Sequence, residues 1–281
     1  MDFQIINGNL LPKEKALIPL TDLGLLRSYS VFEYFRVLEG IPIFIEDHLD
    51  RLFRSVSTMQ LDLPWTKDEI RTMCHELITA NDTQEAGLRI IVTGGYSEDG
   101  YTPTRANIYM TLHKPPVYSP HDFTKGRNLI TSNFTREVPE VKTTIYVHSI
   151  QHQKKMKDMN AIELLYHTDG LITECSRSNI FFVDHNDVLI TPANTILHGI
   201  TRRHVLNIAQ EKYTVEERDI LLNEIPKMKE AFLTSSTKGV YPIVKIEDTI
   251  IGNGKVGNIT ADLNNSFKKY TSNYLELHQN K

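Results

Sequence analysis

The sequence predicts a mixed α/β (α+β) fold that is divided into two domains. Segments rich in β-branched and aromatic residues alternate with segments of helical apolar spacing along the whole chain. With 281 residues, the chain is longer than one compact core usually requires. Prolines crowd residues 113–120, where they disfavour both a helix and a central strand. We therefore expect an N-terminal domain over residues 1–114, a linker over 115–122 and a C-terminal domain over 123–281.

Two hairpins are predicted near the N-terminus. The dipeptide Asn7-Gly8 separates two short apolar segments, and both of its residues tolerate the positive φ angles of a tight turn. Glu39-Gly40 separates predicted strands over residues 31–38 and 41–45, which are rich in aromatic and β-branched side chains. These strands indicate that a sheet begins the fold.

Helices and further strands follow in alternation. A helix is expected from Asp47, and Thr66 with Glu69 form the capping box of a second helix. The other strands are expected at residues 88–92, 108–112, 128–132, 161–166, 179–183 and 231–234. The other helices are expected around residues 148–159, from Thr201 and from about Ile259.

Composition excludes several classes of protein. Lys and Arg number 31 against 35 Asp and Glu, which gives a net charge of −4 with both signs mixed along the chain. Such a balance argues against nucleic acid or a membrane surface as the main partner. Cys74 and Cys175 are far apart and have no metal-ligand spacing, which is typical of reduced thiols in a cytoplasmic protein. The histidines form no HExxH pattern, and the loop at Gly94 lacks the Gly-Lys-Ser/Thr ending of a nucleotide-binding loop.

Two segments contain candidate catalytic groups. Lys142 lies in the strongly β-forming segment 141–146, where a strand would place Lys142 and Thr144 on one face. Glu174 lies in the segment 169–181, after a turn at Asp169-Gly170. Taken alone, a lysine or a glutamate in such a position is more often a solvated surface residue. The order and spacing of these two segments relative to other motifs of the chain favour a catalytic role over a surface position.

Seven ordered motifs extend over nearly the whole chain. They are Ser30-Val31-Phe32-Glu33-Tyr34-Phe35-Arg36, His48-Leu49-Asp50-Arg51-Leu52, Val141-Lys142-Thr143-Thr144-Ile145-Tyr146, Thr173-Glu174-Cys175-Ser176-Arg177-Ser178-Asn179-Ile180-Phe181, Thr191-Pro192, Leu197-His198-Gly199-Ile200-Thr201-Arg202 and Phe232-Leu233-Thr234-Ser235-Ser236-Thr237. In this order, the chain resembles the class IV aminotransferases, also called fold type IV pyridoxal phosphate enzymes. The resemblance implies a two-domain architecture with the active site in the cleft between the domains. Many members have Asn where this chain has Ile145, which leaves the local hydrogen bonding open.

The resemblance also implies the residues that bind pyridoxal 5'-phosphate. Lys142 corresponds to the lysine that forms the Schiff base, and Glu174 to the acid that keeps the pyridine nitrogen protonated. Arg51 corresponds to the arginine that binds the phosphate, to which a guanidinium can donate in a bidentate manner. Ile200, Thr201 and Ser236 complete the phosphate site, and the first two lie at a predicted helix start, where free N–H groups favour an anion.

The substrate is expected to be an amino acid with a 2-oxo acid such as 2-oxoglutarate as its partner. Arg27, Arg89, the segment 93–103 and Ser176-Arg177-Ser178 together resemble a less usual branch of D-amino-acid transaminases. That resemblance implies that Arg27 and Arg89 bind a substrate carboxylate, and that one arginine reaches in from the partner subunit of a homodimer. The other residues assigned to the substrate site are Arg177, Tyr29 and Tyr34.

Three alternatives stay open at this point. Two lie within the family, an L-branched-chain aminotransferase and a 4-amino-4-deoxychorismate lyase, and Gly100-Tyr101-Thr102-Pro103 is similar to a loop of the lyase. The third is a non-catalytic binding protein on the same fold. Fold alone does not decide among them, because substrate choice depends on the groups of the site.

Overall fold

The computed structural model describes residues 1–279, which group into two compact units. The first unit comprises Met1–Pro116, Val141–Ile145 and the described residues from Asn273 onward. The second comprises Val117–Glu140 and Tyr146–Ser272. The segment that contains Lys142 therefore groups with the first unit, although it follows the predicted linker in the sequence. The domain limits drawn from the sequence stay a prediction, whereas the mixed α/β class is confirmed.

A six-stranded antiparallel sheet forms the centre of the first unit. Its strands are β1 (Phe3–Ile6), β2 (Asn9–Pro12), β3 (Ser30–Leu38), β4 (Ile41–Pro42), β5 (Glu85–Thr93) and β6 (Asn107–His113). They lie in the order β2-β1-β6-β5-β3-β4. Both predicted hairpins are confirmed, because Asn7-Gly8 and Glu39-Gly40 have positive φ at both positions and join antiparallel strands.

Three helices belong to the first unit: α1 (Leu23–Arg27), α2 (Ile45–Thr58) and α3 (Lys67–Ala80). The apolar face of α2 packs on β3, and α3 contacts β1 and β6. The predicted capping box of Thr66 and Glu69 is present at the start of α3. The strand predicted for residues 41–45 is wrong beyond Pro42, because Phe44 adopts a left-handed conformation (φ 56°) and α2 begins at the next residue.

A nine-stranded mixed sheet forms the centre of the second unit. Its strands are β7 (Arg127–Asn133), β8 (Ala161–Thr168), β9 (Leu171–Cys175), β10 (Asn179–Asp184), β11 (Leu189–Thr191), β12 (Val215–Glu217), β13 (Met228–Ser235), β14 (Gly239–Ile246) and β15 (Thr249–Ile250). The order is β12-β11-β10-β13-β14-β7-β8-β9, with β15 paired to β14. Strand β7 runs parallel to both β14 and β8. Alternate residues of β10 enter two different apolar clusters, Ile180 and Phe182 in one, Phe181 and Val183 in the other.

The helices of the second unit lie against this sheet. They are α4 (Pro120–Lys125), α5 (Val147–Gln151), α6 (Gln153–Asp158), α7 (Ile200–Gln210) and α8 (Asn258–His278), the last of which groups with the first unit from Asn273 onward. The single helix predicted over residues 148–159 is divided at His152. The ring Nδ1 of His152 lies 2.8 Å from the carbonyl oxygen of His148. In a continuous helix, this oxygen would accept the backbone N–H of His152. Across residues 1–279, no helix combines the length and the apolar character that a membrane span requires.

Candidate active site

Lys142 lies in an irregular segment that runs beside β3. The strand predicted over residues 141–146 is wrong, because the segment makes only a single bridge, between Val31 and Thr143. The backbone N–H of Phe32 donates to the carbonyl oxygen of Lys142 at 2.8 Å. The Nζ atom of Lys142 lies 4.5 Å from the centroid of the Phe32 ring. Contact of the ammonium with the aromatic face holds the half-buried amine at this end of β3.

The sheet face that bears Phe32 also bears Tyr34 and Arg89. Phe32 and Tyr34 are two residues apart on β3 and so point to the same side. Arg89 is directly opposite Tyr34 on β5, and its guanidinium carbon lies 5.9 Å from the ring centroid of Tyr34. The side chain of Arg89 is exposed and lies over this aromatic ring.

Gly87 determines how the Tyr34 ring lies on this face. It is two residues before Arg89 on β5 and faces the same side. A Cβ atom added at residue 87 would overlap the Tyr34 hydroxyl and the ring carbons next to it. Tyr34 can therefore lie across β5 only because residue 87 has no side chain.

Arg51 is held by a buried carboxylate. Its Nε donates to Oε1 of Glu33 at 2.7 Å and its Nη2 donates to Oε2 at 2.8 Å. The same carboxylate lies 2.7 Å from Nδ1 of His48. Burial acts to raise the pKa of Glu33, but Arg51 and His48 outweigh it and lower that pKa to about 2. Burial lowers the pKa of His48, so the charged pair is Glu33 with Arg51. Glu33 was not identified from the sequence.

Arg27 is the last residue of α1. Its side chain is exposed, and its Nη1 donates to the carbonyl oxygen of Leu26 at 3.0 Å. Tyr29 follows and is half-buried, with its hydroxyl donating to the carbonyl oxygen of Met59. A Cβ atom at Gly94 would overlap the Tyr29 ring, so the start of the glycine-rich loop packs against it.

A buried aspartate connects α1 to the sheet. Oδ1 of Asp22 accepts the N–H of Gly24 at 2.8 Å, which caps α1. Oδ2 accepts from Thr93 Oγ1 at 2.8 Å, from Asn107 Nδ2 at 2.8 Å and from Tyr109 Oη at 2.6 Å. Four hydrogen bonds thus satisfy a carboxylate that is 1% exposed, and they fix α1, which bears Arg27, relative to β5 and β6.

In the second unit, Glu174 lies near the end of β9 and is buried. Its Oε1 accepts from Nε of Arg136 at 2.7 Å, and its Oε2 accepts the N–H of Leu197 at 2.9 Å. Arg136 also donates to the carbonyl oxygen of Pro139. The pairing with Arg136 favours the ionised carboxylate, which could then accept a proton or a hydrogen bond from a ligand. Arg136 was not identified from the sequence.

The start of α7 lies close to Glu174, because Leu197 binds Glu174 only two residues before the N-cap residue Gly199. No side chain caps this helix, and the first-turn residues Ile200 and Thr201 are buried. Asn179 donates to the carbonyl oxygen of Leu197 at 2.8 Å and fills the space that a Cβ at Gly199 would need. The first N–H groups of α7 form a site suited to an anion.

Two residues with hydroxyl side chains, Thr234 and Ser236, lie in the last part of β13 and in the turn that follows it. Thr234 is paired with Asn179 across β10 and β13. Its Oγ1 is buried and has no hydrogen-bond partner among the described residues. Ser236 follows in the short turn between β13 and β14 and is half-buried. Buried hydroxyls without partners are uncommon, so Thr234 marks a place where a polar ligand group would be accommodated.

Arg177 lies in the turn between β9 and β10, and its side chain is exposed. Its backbone N–H donates to Oε2 of Glu163 at 2.8 Å, and this buried glutamate was not identified from the sequence. Nowhere in residues 1–279 do three or more His, Cys, Asp or Glu side chains form a group that could hold a metal ion.

Comparison with known proteins decides the family. The model of the family described as amino-transferase class IV matches residues 30–246 of the chain. The chain belongs to this family. This aminotransferase is 28% identical over 269 residues to the D-alanine aminotransferase of Bacillus licheniformis, with 92% of this chain and 93% of that protein covered. It is 30% identical to branched-chain-amino-acid aminotransferase-like protein 1 of Arabidopsis thaliana, over 95% of this chain and 50% of that protein.

Among solved structures, the branched-chain aminotransferase of Thermoproteus uzoniensis with norvaline has the same fold. The TM-score is 0.85 at 24% identity, with 98% of this chain and 97% of that chain covered. A branched-chain amino acid aminotransferase with pyridoxamine 5'-phosphate gives a TM-score of 0.88 at 24% identity, over 96% of this chain and 93% of that chain. The aminotransferase described here is therefore a transaminase of the class IV family that uses pyridoxal 5'-phosphate.

The groups of the second unit fit that cofactor. An uncapped helix start with buried first-turn residues suits a phosphate dianion. The buried hydroxyl of Thr234 adds a donor at the end of β13. The buried, arginine-paired carboxylate of Glu174 suits a protonated ring nitrogen. The phosphate and the ring nitrogen of the cofactor thus both have suitable partners in this unit.

Proposed function

We propose that this aminotransferase transfers the amino group of a D-amino acid, such as D-glutamate or D-alanine, to a 2-oxo acid such as 2-oxoglutarate. The observation that carries the proposal is the exposed guanidinium of Arg89, on the sheet face that also bears Tyr34 and the amine of Lys142. Glutamate and 2-oxoglutarate have a second carboxylate, which a guanidinium binds well. The same guanidinium can also bind the α-carboxylate that every amino acid substrate has.

Names of relatives support the proposal without deciding it. The Bacillus licheniformis relative is a D-alanine aminotransferase and is matched over nearly its full length. The Arabidopsis thaliana relative and the Thermoproteus uzoniensis structure have branched-chain names, so an L-branched-chain aminotransferase is the second candidate. Stereospecificity depends on the face of the cofactor that the substrate approaches and on the groups that bind its carboxylate.

In this proposal, Nζ of Lys142 would hold the cofactor covalently, and Glu174 would hold its ring nitrogen in the protonated form. When bound, pyridoxal 5'-phosphate supplies an electron sink for the bonds at the substrate Cα. The guanidinium of Arg51 binds the phosphate, and Glu33 holds that guanidinium by two hydrogen bonds. The N–H groups of Ile200 and Thr201 and the hydroxyl of Ser236 donate to the phosphate.

Lys142 has a second role in the proposal. With the cofactor bound, the amine of Lys142 would take the proton from the substrate Cα and would give it up again within the same site. General acid–base catalysis requires a group within hydrogen-bond reach of the atoms that lose and gain the proton. The contact of Nζ with the Phe32 ring restricts where this amine can lie.

The substrate carboxylates are assigned to Arg89 and Arg27, and Tyr29, Tyr34 and Arg177 complete the substrate site. We propose further that the enzyme is a homodimer in which Arg27 acts at the active site of the partner. Arg27 is exposed at the end of α1, and the surface beside it includes the exposed side chains of Leu25 and Leu26. Covering such an apolar surface with a second copy of the chain is favourable.

One assay separates the candidate functions. D-glutamate, D-alanine, L-leucine and 4-amino-4-deoxychorismate are offered separately to the same preparation, and each half-reaction is followed by the absorbance of the cofactor. Reaction with the D-amino acids is expected. Reaction with L-leucine alone would replace the proposal by the branched-chain function. Release of pyruvate and 4-aminobenzoate from the chorismate compound would identify a lyase.

A further inference from the structure

Glu163 on β8 is a fully buried carboxylate to which no role has been assigned so far. Its Oε2 accepts the N–H of Arg177 at 2.8 Å and lies 3.4 Å from Oγ of Ser176, while its Oε1 accepts from Oγ of Ser178 at 2.8 Å. One carboxylate thus binds all three residues of the turn that joins β9 to β10. Burial acts to raise the pKa of Glu163, but the charges of Lys238 and Arg177 hold it below its ordinary value.

Lys238 is the buried cation that pairs with this carboxylate. Its Nζ lies 2.5 Å from Oε1 of Glu163 and 3.2 Å from Oγ of Ser178, and its side chain is 1% exposed. Its backbone N–H donates to Oγ of Ser235 at 3.3 Å. Lys238 is the last residue of the turn that joins β13 to β14, because Ser235 pairs with Gly239 and the turn consists of residues 236–238.

From these contacts we infer that Glu163 and Lys238 are positioning residues, which fix the β13–β14 turn that bears Ser236 relative to the β9–β10 turn that follows Glu174. The inference rests on the proposed function, in which Ser236 binds the cofactor phosphate and Glu174 the ring nitrogen. Strands β10 and β13 pair with each other, with Asn179 opposite Thr234, so the two turns lie at the same end of neighbouring strands. The buried ion pair connects them directly.

The physical argument for this role is that a buried ion pair is costly for the stability of the fold. Burying two charges costs desolvation energy that their attraction only partly offsets, and apolar residues of similar size often stabilise a protein as well or better. Lys238 could have reached solvent from a three-residue turn, yet its amine is bound inside the unit. Groups that orient ligand-binding residues in this manner commonly change ligand affinity by tenfold or more when removed, roughly as in metal sites.

The test compares pyridoxal 5'-phosphate with pyridoxal, which lacks the phosphate. Both are titrated into protein freed of cofactor, and the ratio of the two affinities measures the contribution of the phosphate site. In the double variant Glu163→Gln/Lys238→Met, which leaves no unpaired buried charge, the ratio is expected to fall about tenfold. Ser178→Ala removes the one hydroxyl that contacts both residues, and we expect a smaller fall of the same kind.

Two further variants, Lys212→Met and Ser236→Ala, serve as controls for this test. Lys212→Met removes an exposed lysine that pairs with Asp262 in the same unit, and it is expected to leave the ratio unchanged. A wild-type ratio in either the double variant or Ser178→Ala would overturn the inference, as would an equal loss of affinity for both compounds, which indicates a general structural role. If Ser236→Ala also keeps the wild-type ratio, the proposed function is wrong in assigning Ser236 to the phosphate, and the failure is not that of the inference about Glu163 and Lys238.

Discussion

Nε of Arg136 donates to Oε1 of Glu174 at 2.7 Å, so the carboxylate assigned to the ring nitrogen is itself bound to a cation. The pair lies within the second unit, and Leu197 satisfies the other carboxylate oxygen. A neighbouring guanidinium favours the ionised form of a buried carboxylate. Glu174 can therefore stabilise a proton on a ligand and is not required to bring a proton itself.

Replacing Glu174 tests this assignment. Glu174→Gln is expected to retain the cofactor but to slow both half-reactions, because a neutral amide cannot hold the ring nitrogen protonated. Loss of one charge-assisted hydrogen bond indicates a cost of about 1.5 to 3 kcal/mol or more in the barrier. Single-turnover absorbance measures both rates, and Glu137→Gln, at an exposed position of the same unit, serves as the control. Unchanged rates would show that another group supplies the charge.

Lys142→Ala is expected to keep the fold and to lose turnover by several orders of magnitude, because the covalent attachment and the proton transfer depend on the same amine. Circular dichroism checks the fold, and coupled assays measure turnover. Lys154→Ala changes an exposed lysine and is expected to be active. The wild-type protein should lose its absorbance band on borohydride treatment and retain the label at Lys142. Wild-type turnover without Lys142 would refute the proposed mechanism.

Arg89→Ala is expected to raise the KM for D-glutamate and 2-oxoglutarate while the cofactor stays bound. Because Arg89 is exposed, losing its ion pair with the substrate is expected to cost on the order of 1 kcal/mol, which is about a fivefold rise in KM. D-alanine has no second carboxylate, so comparing the two amino acids shows which carboxylate Arg89 binds. Arg54→Ala, at an exposed position on α2, is the matched control. An unchanged KM for every substrate would exclude Arg89 from the site.

Arg27 can be tested through hybrid dimers. Arg27→Ala and Lys142→Ala should each be nearly inactive towards D-glutamate when assayed separately. If Arg27 serves the partner's site, a hybrid of the two variants contains one intact site, and random mixing restores about a quarter of wild-type activity. If Arg27 serves its own subunit, no hybrid contains an intact site and mixing restores nothing. Sedimentation of the mixture shows whether dimers form.

The Glu33–Arg51 pair predicts a pH-dependent contribution to stability. The pKa of Glu33 is about 2 in the folded protein and near 4.5 in an unperturbed chain, so its ionised form stabilises the fold above about pH 4.5. That contribution is lost as the pH falls from 4.5 towards 2. Glu33→Gln leaves Arg51 buried without its charge partner, and we expect it to be about 3 kcal/mol less stable at pH 7.

Urea unfolding of both proteins between pH 7 and pH 3 measures this effect. The stability difference should be constant above about pH 5 and should shrink below 4.5, where wild-type Glu33 begins to lose its advantage. Glu98→Gln, at an exposed position of the same unit, should show no such trend. A difference that is independent of pH would mean that Glu33 acts by packing alone.

Much of the fold was predictable from local patterns. Alternating apolar residues and turn dipeptides correctly indicated β3, β5, β6, β7, β8, β10 and β13, as well as both hairpins. These signals are local, because a strand with one buried face and a two-residue turn each require particular residues in sequence. Strands β9, β11, β12, β14 and β15 were missed. Strands β11, β12 and β15 have only two or three residues, so their formation depends on pairing with distant partners.

The candidate site was predictable only in part. The residues assigned to the ligand lie in recognisable motifs, whereas the residues that hold them, Glu33, Arg136, Glu163 and Lys238, act across long sequence separations. Glu163 had a usable signal, since a carboxylate within the apolar segment Ile162 to Leu165 needs a buried cation. Arg136 had none, because its segment has the composition of an ordinary loop. The strand predicted at Lys142 failed because β-propensity alone does not provide a full hydrogen-bonded neighbour.

The hydrogen atom at Cα of Gly87 bears on how this enzyme could be re-engineered. A single methyl group there would displace the Tyr34 ring and, with it, the guanidinium of Arg89 that lies over the ring. Space on this face of the sheet is thus limited by a residue that has no side chain to contact a substrate. A mutant library restricted to Tyr34 and Arg89 would leave this limit unchanged. A library that also varies position 87 would change how far the Tyr34 ring lies from the sheet.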